Sequence, residues 1–189
     1  MEFLESLCLS LRKASVRLAV LDTGDKNRAL AGVADAIDRN RAKILSANET
    51  DVQEALEKGT KKSLVDRLSL SDKRIDDIID GINVVINQKD PVGECESGWK
   101  IENGLRILKT RVPLGVAAII YESRPNVTVE AFSLAYKSGN SILLRGSSSA
   151  LNSNKAIVEV IKEGLVQGGG IPESIELAAS GSRDEVDWM

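Results

Sequence analysis

The segment from 115 to 145 begins Gly115-Val116-Ala117-Ala118-Ile119-Ile120-Tyr121-Glu122-Ser123-Arg124-Pro125-Asn126 and closes on Ser141-Ile142-Leu143-Leu144-Arg145. Its first six residues form a near-continuous apolar run, the pattern of a strand buried on both faces. From Val127 to Lys137, the residues Val129, Phe132, Leu134, Ala135 and Tyr136 predict a helix closed by Gly139. Ser141 to Leu144 is a second buried strand. Working outward, Ala150 to Val166 carries Ile157, Val158, Ile161 and Leu165 on one helical stripe, and Gly168-Gly169-Gly170-Ile171-Pro172 ends it. Ser174 to Ala179 reads as a third strand. Strand, helix, strand, helix, strand with short connections predicts a right-handed βαβαβ unit on a parallel sheet. Such a unit is the mononucleotide-binding half of a doubly wound fold.

Upstream the texture is helical. Leu4, Leu7, Leu11, Ala14 and Leu18 make one amphipathic stripe. Thr23-Gly24-Asp25 breaks it and can cap a second helix, whose stripe runs through Leu30, Val33, Ala34, Ile37, Ile44 and Leu45. A shorter helix through Val52, Ala55 and Leu56 ends at Gly59, and Ser71 caps another carrying Ile75, Ile78, Ile79, Ile82, Val85 and Ile86 on one face. Glu94 to Trp99 and Leu105 to Val112 are extended runs joined around Asn103-Gly104, the dipeptide favoured in tight hairpins. The expected class is therefore α/β: N-terminal helices, a β-hairpin arm, then an incomplete Rossmann-like parallel sheet. The divisions fall at 1–93, 94–112 and 113–189. A helix is expected to begin at Arg183. A three-stranded parallel sheet leaves an edge unpaired and one apolar face uncovered, so the unit reads as a piece of a larger sheet.

Composition narrows the function classes. The 189 residues are 42% hydrophobic and 28% charged, which is ordinary for a globular protein. A net charge of −3 and 3% aromatics argue against nucleic acid as a partner. No apolar run is long enough to span a bilayer, and the N-terminus lacks the basic region of a signal peptide. The expected setting is cytoplasmic, with no membrane partner. Histidine is absent, which removes every mechanism built on an imidazole base. Cys8 and Cys95 make neither a disulfide framework nor a metal-ligand cluster.

Two loops could carry chemistry. Tyr121 to Asn126 lies between the carboxyl end of a strand and the start of a helix, where open α/β sheets bind ligands. Glu122, Arg124 and Asn126 there bring together a guanidinium and an amide donor at a helix N-terminus, suited to phosphate, carboxylate or a developing oxyanion. The plain alternative is that Asn126 or Thr128 caps the helix and Pro125 shapes the turn. The second loop is Arg145-Gly146-Ser147-Ser148-Ser149, where glycine and serines admit a ribose or phosphate and Arg145 supplies charge. Its alternative is a flexible serine-capped loop. No G-x-G-x-x-G fingerprint is present.

The same stretches carry a resemblance. Arg111-Val112-Pro113-Leu114-Gly115, Tyr121-Glu122-Ser123-Arg124-Pro125-Asn126-Val127-Thr128, Lys137-Ser138-Gly139-Asn140 and Ala150-Leu151-Asn152-Ser153-Asn154 resemble the signature region of the γ-glutamyl phosphate reductases. These enzymes belong to the aldehyde dehydrogenase superfamily. The likeness runs upstream through Lys26 to Leu30, Ile44 to Asn48, Leu64 to Leu68 and Asp90 to Glu94, and corresponds to the family's N-terminal part. It implies NADPH-dependent reduction of γ-glutamyl phosphate to glutamate 5-semialdehyde in proline biosynthesis, with NADP(H) as cofactor and no metal. By position, Asn126 matches the family's oxyanion-holding amide. Glu122, Ser123 and Arg124 match the substrate and nicotinamide pocket. Arg145, Gly146, Ser147 and Ser148 match the loop on the adenosine ribose and its phosphate, and Ser180, Gly181 and Ser182 the loop flanking the adenine. The hairpin matches a dimer-building arm, so a homo-oligomer is expected. The nucleophilic cysteine of the family has no counterpart here. Cys8 lies beside the first apolar stripe, and Cys95 lies between Glu94 and Glu96, whose charge disfavours a thiolate. The isolated chain is therefore expected to be inactive. The alternative is a non-catalytic nucleotide-binding or oligomerisation fragment.

Overall fold

A computed structural model describes residues 2–178. Five helices come first: α1 (Glu2–Leu18), α2 (Thr23–Arg39), α3 (Arg41–Glu57), α4 (Lys62–Leu68) and α5 (Asp72–Asn87). A hairpin of β1 (Cys95–Lys100) and β2 (Arg106–Thr110) follows, and then β3 (Val116–Ile120), α6 (Pro125–Lys137), β4 (Ser141–Arg145), α7 (Leu151–Gln167) and β5 (Ile175–Leu177). Single 3₁₀ turns at Ser148–Ala150 and Pro172–Ser174 precede α7 and β5. The expected strand at Ser174 to Ala179 is the short β5; the readings at 179–189 lie outside the described residues.

Local chemistry sets the helix ends. Asp22 caps α2, its carboxylate accepting from the Asp25 N–H at 2.7 Å, so the cap stands one residue before the Thr23-Gly24-Asp25 break. The long stripe read from Leu30 to Leu45 is two helices, because the chain turns at Asn40, whose amide donates back to the Ala36 carbonyl at 2.9 Å. The shorter helix through Val52 is the second half of α3. It stops at Gly59, with φ +69°, where the Thr60 N–H reaches the Ala55 carbonyl. Ser71 caps α5 as expected, accepting from the Arg74 N–H. The hairpin closes at Gly104, with φ +91°, and pairs Trp99 with Ile107.

The parallel sheet has the order β3-β4-β5, pairing Ile120 with Arg145 and Ile142 with Ile175. The central strand β4 is buried from Ser141 to Leu144. Ile142 and Leu144 face one large core with Phe132 of α6 and Ile161 of α7, and that core continues into α2 and α5. Leu143 points the other way, onto Leu4 and Leu11 of α1. Two expectations need correction. The second sheet face is not bare over β4, because α1 lies across it. And β3 is not buried on both faces: Val116 and Ile120 are 37% and 51% exposed, since β3 is an edge strand of this sheet.

Helices α2 and α7 meet at backbone contact. A Cβ placed on Gly164 would stand 2.5 Å from the Val33 Cα, and one on Gly32 would stand 2.6 Å from the Gly164 carbonyl. The approach locks the helical layer onto the crossover helix that carries the chain from β4 to β5.

Candidate functional site

Both candidate loops leave the carboxyl ends of neighbouring parallel strands, so the sheet register itself brings them together. The Tyr121 N–H donates to the Arg145 carbonyl at 3.0 Å, extending the β3–β4 ladder by one residue before the loops part. Beyond it, hydroxyls tie the loops: Ser123 bonds Ser149 at 2.7 Å, and Ser149 bonds Ser147 at 3.0 Å. Between them opens a cleft of about 450 Å³, lined by Glu122, Ser123, Arg124, Arg145, Ser147 and Ser148, with Arg67 and Tyr121 on its walls. Six of the residues singled out in the sequence therefore share one cleft. Asn126 lines the neighbouring cleft instead, Gly146 lies in the loop between Arg145 and Ser147, and Gly181 lies outside the described residues.

Gly146 has a packing reason as well as a ligand one. A Cβ there would overlap the Asn154 amide and stand 3.2 Å from the Tyr121 ring. Asn154 in turn accepts from the buried Thr128 hydroxyl at 2.9 Å, and Thr128 bonds the Tyr121 hydroxyl at 2.6 Å. This chain spans β3, α6 and α7 beneath the cleft floor. Burial pushes the Tyr121 phenol up, with the Thr128 bond opposing, so it serves as a neutral hydrogen-bonding strut.

The plain alternative for the first loop holds only for Pro125, which takes the first turn; Arg124, not Asn126 or Thr128, occupies the cap position of α6, with no side-chain cap bond. Asn126 instead donates its amide to Glu130 Oε1 at 2.8 Å, one turn along α6. Thr128 points into the hydroxyl chain. Arg67, 4.0 Å from the Glu122 carboxylate, completes the rim from α4. No spacing rule could reach it, because a charged residue on a seven-residue helix joins the site only through the tertiary fold.

A second cleft of about 280 Å³ adjoins the first, between α4, α5 and the start of α6. Arg67 and Arg124 line both clefts.

Neither cysteine is near. Cys8 packs beside Leu4 and Leu11, where burial pushes its thiol up. Cys95 is exposed on the hairpin, its thiol donating to the Ser97 carbonyl at 3.2 Å. The flanking acids are matched by cations, Glu94 by Lys89 and Glu96 by Lys109 and Arg111.

With this geometry in hand, no protein-family profile matches the chain. A γ-glutamyl phosphate reductase from Alkaliphilus oremlandii is 52% identical over all 189 residues, which span 46% of that protein. The crystal structure of the Thermotoga maritima γ-glutamyl phosphate reductase superposes over 97% of this chain and 44% of its own, with TM-score 0.94 and 50% identity. The chain resembles the N-terminal part of γ-glutamyl phosphate reductase. The chain thus spans less than half the length of the reductases it matches. A probable aldehyde dehydrogenase of Listeria monocytogenes, 18% identical with TM-score 0.69 over 99% of this chain and 38% of its own, shares the fold. The architecture is aldehyde dehydrogenase-like, as the resemblance to the reductases implies. No described helix is long and apolar enough to cross a membrane.

Proposed function

We propose that this chain serves the NADPH-dependent reduction of γ-glutamyl phosphate to glutamate 5-semialdehyde, with release of phosphate, in proline biosynthesis and in the cytoplasm. The carrying observation is that Glu122, Ser123, Arg124, Arg145, Ser147 and Ser148 border one cleft at the carboxyl ends of β3 and β4. Identity of 52% to a reductase along the whole chain supports the same reading. The cleft fits part of a phosphorylated dinucleotide: its described lining includes Arg67, Arg124 and Arg145 beside Glu122, and its volume is in the range that holds a small ligand. When bound, the cofactor supplies hydride to the acyl carbon. Arg145, Ser147 and Ser148 hold its ribose and phosphate, and Gly146 keeps the loop low enough for them to reach. Arg124 and Ser123 orient the acyl phosphate, with Glu122 steering Arg67. Asn126 places an amide N–H where negative charge develops on the carbonyl oxygen, a contribution of about 3–4 kcal/mol to such a barrier.

The parts at 1–93 and 113–189 together form the cofactor-binding portion, and 94–112 is the arm of a homo-oligomer. Neither Cys8 nor Cys95 borders the cleft, so the chain alone binds cofactor without turnover. Titrating NADPH into the 189-residue chain, with nicotinamide fluorescence as readout, tests this. Saturable binding that Arg145→Leu weakens at least tenfold is expected, alongside no NADPH formation from glutamate 5-semialdehyde, phosphate and NADP⁺. Absence of binding at millimolar cofactor overturns the reading.

A further inference from the structure

We propose that the second cleft, between α4, α5 and the first turn of α6, seats a zwitterionic α-amino-acid head group, with Arg67 taking its carboxylate and Asp77 and Glu130 its ammonium. The inference rests on the proposed function and extends it to residues outside the cofactor cleft.

Charge separates the two clefts. Among the described residues lining the first are Arg67, Arg124 and Arg145 with Glu122, a mainly cationic wall suited to phosphate. Around the second, Arg67, Arg74 and Arg124 are balanced by Asp66, Asp77 and Glu130. A simple anion at such a wall pairs with the guanidinium groups but is repelled by the carboxylates, whereas a dipolar group meets an opposite charge at each end, so the wall favours a group carrying both signs. Part of the wall is already committed. Arg74 donates to the Asp66 and Ser69 carbonyls and pairs with the Asp66 carboxylate, stapling α5 to the end of α4. Asp77 has no hydrogen bond or ion pair among the described residues, and Arg67 has only its 4.0 Å approach to Glu122. Glu130 gives one oxygen to Asn126 at 2.8 Å and keeps the other, since a carboxylate accepts about four hydrogen bonds.

Side-chain geometry on α6 agrees. The Asn126 amide nitrogen stands 2.8 Å from Glu130 Oε1, so the two groups face one place in the cleft. In a five-carbon α-amino acid the α-carbon lies three bonds from the reacting carbonyl, about 4 Å when extended, and the ammonium lies one bond further. A substrate whose carbonyl oxygen meets the second N–H of the Asn126 amide has its ammonium, a few bonds along, within reach of the other oxygen of Glu130. Asp77 on α5 and Arg67 on α4 stand across the same space. The Asn126–Glu130 bond also fixes which end of the amide carries nitrogen.

The test uses the ¹⁵N-labelled 189-residue chain and L-glutamine, which has the head group and an uncharged carbonyl at the far end. Its deaminated analogue, 4-carbamoylbutanoate, is the control, and inorganic phosphate reports the first cleft. L-glutamine is expected to shift the amides of α4, α5 and Glu130 and to bind at least tenfold tighter than the analogue. Asp77→Asn, an exposed position outside the first cleft, should remove that preference and leave the phosphate response at Arg145 and Ser148 intact. Equal binding of the two ligands, no response on α4 and α5, or an unchanged preference in Asp77→Asn each overturns the proposal. The cofactor reading is separable: NADPH binding without amino-acid discrimination sinks the head-group site alone, and discrimination without NADPH binding sinks the cofactor assignment.

Discussion

Gly146 and Asp90 show how single residues set the site and its frame. Gly146 lies where any side chain would run into Asn154 and Tyr121, the partners that hold the hydroxyl chain under the cleft. Gly146→Ala should therefore lower stability by about 1–3 kcal/mol through overpacking. It should also weaken NADPH binding more than it lowers the melting temperature would explain; equal NADPH affinity in the folded variant would show that the loop tolerates the shift. Asp90 sits at the entry to the hairpin, 2.5 Å from the buried ammonium of Lys26 and accepting from the Thr23 hydroxyl and Val92 N–H. Burial pushes its carboxyl up, but the bonds from Lys26, Val92 and Thr23 outweigh it and the net is below the ordinary value. A depressed folded value means the carboxylate contributes stability in full above about pH 4, lost as pH falls through the folded value. Asp90→Asn strands Lys26 and should cost about 3–5 kcal/mol at neutral pH. Acid titration followed by circular dichroism should then show a shallower loss than wild type, and an unchanged slope would remove Asp90 from the account. At this scale the sequence was legible where a residue's neighbours are close along the chain, as for Glu122, Ser123 and Arg124. It was silent on Arg67 and on the Lys26–Asp90 pair, whose partners meet only after folding.

Elements were readable in proportion to how much of their stability is local. Helices with a strong apolar stripe, α1 and α5, and the buried strand β4 stand where periodicity puts them, and Ser71 caps its own helix. The break between α2 and α3 was hidden because Asn40 interrupts the backbone without interrupting the stripe, so Ile44 joins the same core as Ile37. The edge exposure of β3 was equally invisible: an apolar run states that a strand can be buried, and strand order decides whether it is. The α2–α7 contact rests on glycines that propensity alone would discourage inside a helix. Substituting Gly164 with alanine gains about 1 kcal/mol of helix propensity. The new methyl would nonetheless lie 2.5 Å from the Val33 Cα, against backbone that cannot rotate aside. Overpacking of that kind costs about 1–3 kcal/mol, so the net effect should be destabilising by up to about 2 kcal/mol. Urea denaturation measures it. A more stable variant would mean the helices part without loss. The far end of α7 should respond differently, because there the buried Asp51 accepts from the Ser153 N–H at 2.7 Å and its hydroxyl at 2.5 Å. Asp51→Ala should cost about 2–3 kcal/mol by leaving those donors unpaired.

At the scale of the whole molecule, one part has no core of its own. Helices α2, α5, α6 and α7 and the sheet share a continuous apolar interior, whereas β1 and β2 reach out from Asp90 with every residue of β1 exposed. Trp99 and Leu108 are 53% and 59% exposed there. A two-stranded hairpin is at best marginally stable in water, because neither face buries enough apolar surface to offset the ordering of its backbone. The ion pairs along it, Glu96 with Lys109 and Arg111, are solvent-facing and contribute little. Under the proposed homo-oligomer, a second copy of the chain would supply the burial that the arm lacks. Sedimentation of the wild-type chain at micromolar concentration should reveal a dimer. Trp99→Lys with Leu108→Lys should convert it to monomer while leaving the melting of the helical core within about 1 kcal/mol, since exposed substitutions away from the core seldom exceed that. A wild-type monomer, or a double variant that still dimerises, would take the hairpin out of assembly and return β1 and β2 to the status of an unsupported loop.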